Sequence, residues 1–319
     1  GGETIAYDKL LVATGSRPFV PPMQGLEEVE SKYSFMTMDD MLALEKALSP
    51  EKKVLVIGAG LIGLKCVEGI LDRVKSITVV DMADRIMPSV LDKEGAAIVQ
   101  RGLEEHGVKF VLGDSAEKFE NNVAYLKNSK KKIAFDILVV AVGVRANTEL
   151  VREAGGNVNR GIVVDKGMHT SLENVFAAGD CAEGYDSSIG SDRVLALLPN
   201  AYFQGSVAGV NMAGGMALHD DAIPMNAIGF FDTHVLTAGV YEGEVISDIG
   251  DNYYKKLFIK DGCLVGFILI NKFLRAGIYT SLIRAKTPLS EVDFELLSKE
   301  PQLLAFSKDA RKQKLARRV

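Results

Sequence analysis

The chain has 319 residues, 47% hydrophobic and 25% charged, with a formal net charge of −5. That length supports two or three domains with a buried core, and the acidic balance argues against a nucleic-acid binder, which needs excess Lys and Arg to neutralise phosphates. No apolar run approaches the roughly 20 residues of a membrane helix, and no basic segment followed by an apolar stretch opens the chain as a signal peptide would.

In chain order, residues 1–36 read as a strand pair and a loop: "TIAYDKLLVATG" is strand-like and "SRPFVPPMQG" is Pro-rich and extended. Asp39 to Leu48 has helical spacing, with Met41, Leu42, Leu44 and Leu48 apolar. A βαβ unit follows, with a strand at Lys53 to Ile57, a helix from Gly60 to Asp72 and a strand at Ser76 to Val80. Residues 94–105 predict a helix, "KFVLG" a strand and "ILVVAVGV" a buried strand returning to the sheet. Beyond Asn147, "GIVVD" and "NVFAAGD" are short strands, and Asn200 to Met212 is a helix rich in small residues. Gly205, Ala208 and Gly209 there point to close helix packing. From Ala222 the pattern predicts alternating strands and helices. "KKLFIKDGCLVGFILI" should be a hairpin turning at Asp261-Gly262, and "IYTSLIRAK" a helix stopped by Thr287-Pro288. The tail "KDARKQKLARR", with six basic residues against one acid, reads as a solvated helix or frayed end.

Cys66, Cys181 and Cys263 lie far apart, without a CxxC, so neither a zinc cage nor a disulfide framework is indicated and a reducing cytoplasm is the simplest compartment. His106, His169, His219 and His234 show no ligand spacing, so no catalytic metal is expected.

The chemistry concentrates in "KKVLVIGAGLIG". Gly58, Gly60 and Gly63 form G-x-G-x-x-G directly after a strand and at the head of a helix. The first glycine permits a tight turn, the second lets a pyrophosphate approach the backbone, and the third allows close helix–strand packing. The intervening Ala59, Leu61 and Ile62 contribute backbone N–H groups at a positive helix end. Asp81 ends the next strand, 21 residues beyond Gly60, where a carboxylate bonds the adenine ribose. That carboxylate repels a 2′-phosphate, which favours NADH over NADPH, and the nearby Arg85 softens the preference.

This unit is bracketed by "LLVATGSRP" before it, and by "VVAVGVRAN" and "TSLENVFAAGDCAE" after it. Together these motifs resemble the FAD-dependent pyridine nucleotide–disulfide oxidoreductases, over nearly the whole chain. The resemblance implies an α/β fold with a Rossmann-like NAD(P)-binding domain (37–146) inserted in an FAD-binding domain of the glutathione-reductase type (1–36 and 147–222). A small α+β C-terminal domain (223–297) and a basic tail (298–319) would follow. It places Ala13, Thr14 and Gly15 along the flavin, with Arg17, Gly143, Gly179, Asp180 and Leu198 as further cofactor contacts, Asp180 bonding the ribityl chain. Asp180 could instead cap the following turn, and Arg17 could be a surface charge. Cys181 reads as a small packed side chain rather than a redox centre.

Details such as "GLIGLKCVEG", "LLPNAYFQG" and "AGIYTSLIRAKTPL" resemble the NADH:rubredoxin reductases and the flavin portion of NADH-dependent nitrite reductases. Lys65 stands where many disulfide-reducing members have Glu, and an exposed helix residue explains it equally well. Members of this family begin with an FAD-binding βαβ unit that this sequence lacks, so the expectation is a fragment. The implied activity passes hydride from NADH to FAD and electrons on to rubredoxin, ferredoxin or a nitrite-reductase centre. Disulfide, peroxide or oxygen reduction is the alternative, and a flavin-free NADH-binding module a second. Dimerisation stays open.

Overall fold

The structure, a computed structural model, describes residues 2–316. It divides into two compact units, one comprising Gly1–Ser16, Ala146–Ala227 and Val235–Val319, the other Arg17–Arg145 with Ile228–His234.

The second unit is built on a parallel sheet whose strands lie in the order Lys32–Tyr33, Ile137–Val140, Lys53–Ile57, Ser76–Asp81, Lys109–Leu112. The central strands are buried on both faces, so they read as unbroken apolar runs rather than alternating ones. Three helices accompany them. Met38–Ala47 starts in a capping box formed by Thr37 and Asp40, Leu61–Ile70 follows the glycine-rich turn, and Lys93–Glu105 is capped by Asp92. The run "ILVVAVGV" is not one strand: it breaks after Val140, and Val144–Ala146 pairs with Ser16–Pro18 instead.

A three-stranded antiparallel sheet, Ala116–Glu120, Val123–Leu126 and Lys132–Ala134, completes this unit. Its first turn is Asn121-Asn122, both with left-handed φ (50° and 56°), the conformation a two-residue hairpin turn demands. Asp114 organises its base. The buried carboxylate accepts the backbone N–H groups of Ser115, Asn128 and Ser129 at 2.8–2.9 Å. Burial pushes the Asp114 carboxyl up, but the Ser129 hydroxyl and these three N–H groups outweigh it and hold it far below the usual carboxylate range.

In the other unit Leu10–Val12 runs parallel to Val175–Ala177. The expected strand pair in residues 1–36 is therefore not a pair: Leu10–Val12 and Ser16–Pro18 each take a distant partner. The helix Leu198–Met212 contributes the fully buried Ala208 to the core under these strands. Gly205 and Gly209 do not report close packing, since a Cβ at either would meet nothing within 4 Å.

After Ala222 the elements do not alternate. Five strands form one antiparallel sheet in the order Met225–Phe230, Thr233–Gly239, Cys263–Ile270, Tyr254–Lys260, Glu244–Ile249. Helices come only afterwards, at Gly277–Arg284, Phe294–Lys299 and Lys308–Ala316. Apolar residues from the sheet and from the first two of these helices share a core that includes Leu257, Phe267, Tyr279, Leu282 and Leu297. The hairpin turns at Asp261 and Gly262, with φ of 51° and 71°. The tail is helical from Lys308, and its final residues, 317–319, lie outside the described residues.

Candidate functional site

The glycine-rich turn shows three different physical jobs at three glycines. Gly58 has φ +112°, and a Cβ there would sit 2.3 Å from the Ala141 carbonyl oxygen, so only glycine fits. Gly63 lies in the first turn of Leu61–Ile70, and a Cβ would meet the Gly58 carbonyl oxygen at 2.2 Å, which is the close helix–strand approach. Gly60 is the opposite case. It opens the helix in an extended conformation with no side-chain cap, and a Cβ there would meet nothing within 4 Å. The space in front of Gly60 is what a diphosphate requires, and the uncapped N–H groups of Leu61, Ile62 and Gly63 supply donors for it.

Asp81 stands beside this turn. Its Oδ2 accepts the Ala59 N–H at 2.6 Å and its Oδ1 accepts the Ala83 N–H at 2.8 Å. The carboxylate thus ties the turn after one strand to the end of the next, a role the sequence did not disclose. Each oxygen has a second lone pair for a ribose hydroxyl. Arg85 is occupied locally: its guanidinium pairs with Asp84 and donates to the carbonyls of Leu91 and Pro88.

The second cluster of sequence-singled residues lies in the other unit. Parallel pairing of Leu10–Val12 with Val175–Ala177 brings "ATGS" and "AGD" to neighbouring carboxyl ends of two strands, where open α/β sheets bind ligands. Ser16 Oγ donates to Asp180 Oδ2 at 3.0 Å, and Asp180 is half-buried. Thr14 Oγ1 donates to the Asn147 carbonyl at 2.7 Å, the Asn147 side-chain amide returns a bond to the Thr14 carbonyl, and Gly15 bonds the Asn147 N–H. Gly179, at φ +84°, donates its N–H to Gln204 Oε1 at 2.8 Å. Ser16, Asn147 and Gln204 were the members not singled out; the motifs contain them, but their partners are more than 20 positions away.

Ala13, Thr14 and Arg17 are exposed and Gly15 is half-buried. Leu198, 86% exposed, is the first residue of its helix, followed by Pro199 and no side-chain cap. Gly143 (φ +113°) is exposed and accepts the Phe19 N–H, and Arg145 stacks on the Phe19 ring at 4.3 Å. This donor set, a carboxylate with a hydroxyl beside a free helix start, suits the polyol chain and ring edge of a flavin.

Lys65 is engaged within its own unit. It pairs with Glu68, donates to the Gly229 carbonyl at 3.0 Å and lies 5.6 Å over the Phe230 ring, while Glu68 accepts the Phe231 N–H at 2.7 Å. Cys66 and Cys181 are buried and Cys263 half-buried. Burial pushes the Cys66 thiol up to about 12, and Cys181 Sγ points at the carbonyls of Ala178 and Val12. Among the described residues no group of three or more His, Cys, Asp or Glu could hold a metal, and no helix is long and apolar enough to cross a membrane.

The sequence profile described as pyridine nucleotide-disulphide oxidoreductase matches residues 1–205. The NADH-dependent phenylglyoxylate dehydrogenase subunit epsilon of Aromatoleum evansii is 33% identical over 302 residues, covering 91% of this chain and 71% of the relative. An assimilatory nitrate reductase electron transfer subunit of Bacillus subtilis is 33% identical over 279 residues, 84% of this chain but only 35% of that protein. A NAD-dependent persulfide reductase from A. fulgidus superposes with TM-score 0.81 at 28% identity, over 90% of this chain and 58% of that one. The chain spans about a third of the Bacillus relative and under two thirds of the persulfide reductase. The match over residues 1–205, with the glycine-rich turn and the "ATGS" and "AGD" strand ends inside it, places this chain in the pyridine nucleotide-disulphide oxidoreductase family, enzymes that work with FAD and NADH.

Proposed function

We propose that the protein of which this chain is part oxidises NADH and delivers the electrons, by way of FAD, to a separate one-electron acceptor such as rubredoxin, ferredoxin or a nitrite-reductase centre. The observation that carries the reading is the open space before Gly60, flanked by uncapped N–H groups and by Asp81. NADH would be held by Leu61, Ile62 and Gly63 through its phosphates and by Asp81 through its ribose. Three of the five N–H donors of Arg85 are engaged by Asp84 and two carbonyls, which makes its guanidinium less available to a 2′-phosphate and supports NADH over NADPH.

FAD would be held by Ser16, Asp180 and the start of Leu198–Met212, with Ala13, Thr14, Gly15 and Gly179 shaping the approach. Together the two cofactors supply hydride transfer and the release of electrons to an acceptor. The polypeptide would contribute position and charge: Asp180 would accept hydroxyl donors, and the helix start would offer N–H groups to a partly negative ligand atom. Relatives that are an NADH-dependent dehydrogenase subunit and an electron transfer subunit favour a protein acceptor. The likeness to a persulfide reductase favours a second reading, reduction of a sulfur substrate. Cys66 and Cys181 are too deeply buried to serve it.

The test is calorimetric titration with NADH and NADPH, together with Gly60→Val. That variant should fold as the parent does, because its side chain enters open space, and should lose NADH binding by at least about tenfold through steric exclusion of the phosphates. Normal NADH binding by a folded Gly60→Val protein removes the reading.

A further inference from the structure

Asn200, in the first turn of the helix Leu198–Met212, begins a chain of polar contacts that the cofactor sites do not use. Its Nδ2 donates to the Leu195 carbonyl at 3.0 Å, which turns Oδ1 toward His219 Nε2 at 2.9 Å. An amide oxygen only accepts, so in the neutral ring the proton sits on Nε2 and Nδ1 is bare. Nδ1 faces the Asp221 carboxylate at 3.7 Å. Asp221 is in turn gripped by Arg284, whose Nε and Nη2 lie 2.9 and 2.5 Å from Oδ2. Phe203 closes the group, its ring centre 6.0 Å from the imidazole and 5.1 Å from the guanidinium. These side chains line a cavity of about 10 Å³, room for one water at most.

We propose that His219 is a positioning residue: by taking a proton at Nδ1 it draws Asp221 from Arg284 and resets the first turn of the helix Leu198–Met212 through Asn200 and Phe203. The proton comes from solvent and adds to the Nδ1 lone pair. The Nε2–H stays on Asn200, and Asp221 Oδ1 gains a charge-assisted bond that competes with the guanidinium. The charged groups around the ring are Asp220 and Asp221 on its own segment and Arg284 on Gly277–Arg284. Lys166, whose carbonyl accepts the His219 N–H at 2.8 Å, sends its ammonium over the Tyr185 ring at 4.2 Å. The helix Leu198–Met212 presents the uncharged Pro199, Asn200 and Phe203 to the cavity. Burial lowers the His219 pKa, Asp221 raises it, Arg284 lowers it and Asp220 raises it, and the balance lies below the ordinary imidazole value. The resting state at neutral pH is the neutral ring, and the response belongs to the acid side. Its consequence for a flavin facing that helix start rests on the proposed function; the relay itself does not.

The test uses the full chain, isotope-labelled and without cofactors, followed by NMR between about pH 4 and 8, across the ordinary His range. The His219 ring and the backbone amides of Leu198, Asn200 and Ala201 should titrate with one shared midpoint. His219→Gln keeps an N–H donor for Asn200 and cannot titrate, so its helix amides should be flat. Asp221→Asn should lower the midpoint by about one unit, because it removes the carboxylate that favours the cation. Amides that ignore the His219 titration, a response that survives His219→Gln, or an unmoved midpoint in Asp221→Asn each overturn the proposal. NADH binding can fail or succeed independently of all three.

Discussion

The glycine-rich turn and the "ATGS"–"AGD" junction carry similar numbers of singled-out residues but are assembled in opposite ways. The turn is local. Its three glycines lie within residues 58–63, and its one distant member, Asp81, is 22 positions from the Ala59 N–H it accepts. The junction is made by chain segments 133 and 164 positions apart, joined through Thr14 and Ser16. At the turn the backbone does the work, braced by the Asp81 carboxylate, and a side chain is excluded at Gly58 and Gly63. At the junction side chains do the work, and each is set by a partner on another segment. A local backbone site should therefore be fragile to an added methyl group, whereas the junction should tolerate loss of any single bond.

The largest effect that would sharpen this contrast is expected for Gly58→Ala. Its Cβ must displace the Ala141 carbonyl, 2.3 Å away, at a φ of +112°, so thermal melting should show a loss of about 3 kcal/mol or more. A melting temperature within error of the parent's would show that the turn is not backbone-limited.

Asp81→Ala comes next. It removes two N–H acceptors that hold the turn together with the expected ribose contact, and NADH affinity should fall by about 1.5–3 kcal/mol in calorimetry, the range for bonds to a charged group. The preference over NADPH should narrow in the same titration.

Asp114→Asn tests the nucleotide unit away from its turn, and should cost about 2 kcal/mol at neutral pH, since one carboxylate oxygen becomes a donor facing N–H groups. The Asp114 carboxyl is held below its ordinary value in the fold. Its contribution is therefore fully present above the ordinary carboxylate range and is lost as pH falls through the acid range toward the depressed value. The difference between parent and variant should shrink in acid, and chemical denaturation at several pH values would expose a constant difference.

The smallest effect is expected at the junction. Ser16→Ala removes the single bond to Asp180 and should destabilise by about 1 kcal/mol, with the Thr14–Asn147 pair still in place. A loss as large as that of Gly58→Ala would dissolve the contrast.

What could be read from residue order follows the same division. The strand Lys53–Ile57, the helix after it, the helix Lys93–Glu105 and the Asp261-Gly262 turn are visible because apolar period and turn chemistry act over a few neighbouring residues. The hairpin at Asn121-Asn122 carried the same kind of signal, two residues suited to left-handed φ, and was readable in principle. The glycines at 205 and 209 misled, because small residues in a helix mark either close packing or an open face, and composition does not separate the two.

Residue order by itself determined the glycine-rich turn and the family, since both rest on contiguous motifs whose backbone demands are met by the residues next to them. Tertiary structure alone decided that Ser16 meets Asp180, that Asp81 braces the turn it was expected only to adjoin, and that His219 sits between Asn200 and Asp221. Those pairings depend on which strands run parallel and how helices pack beside them. Such choices are made by the burial of whole apolar faces at once, and no short stretch of sequence records them.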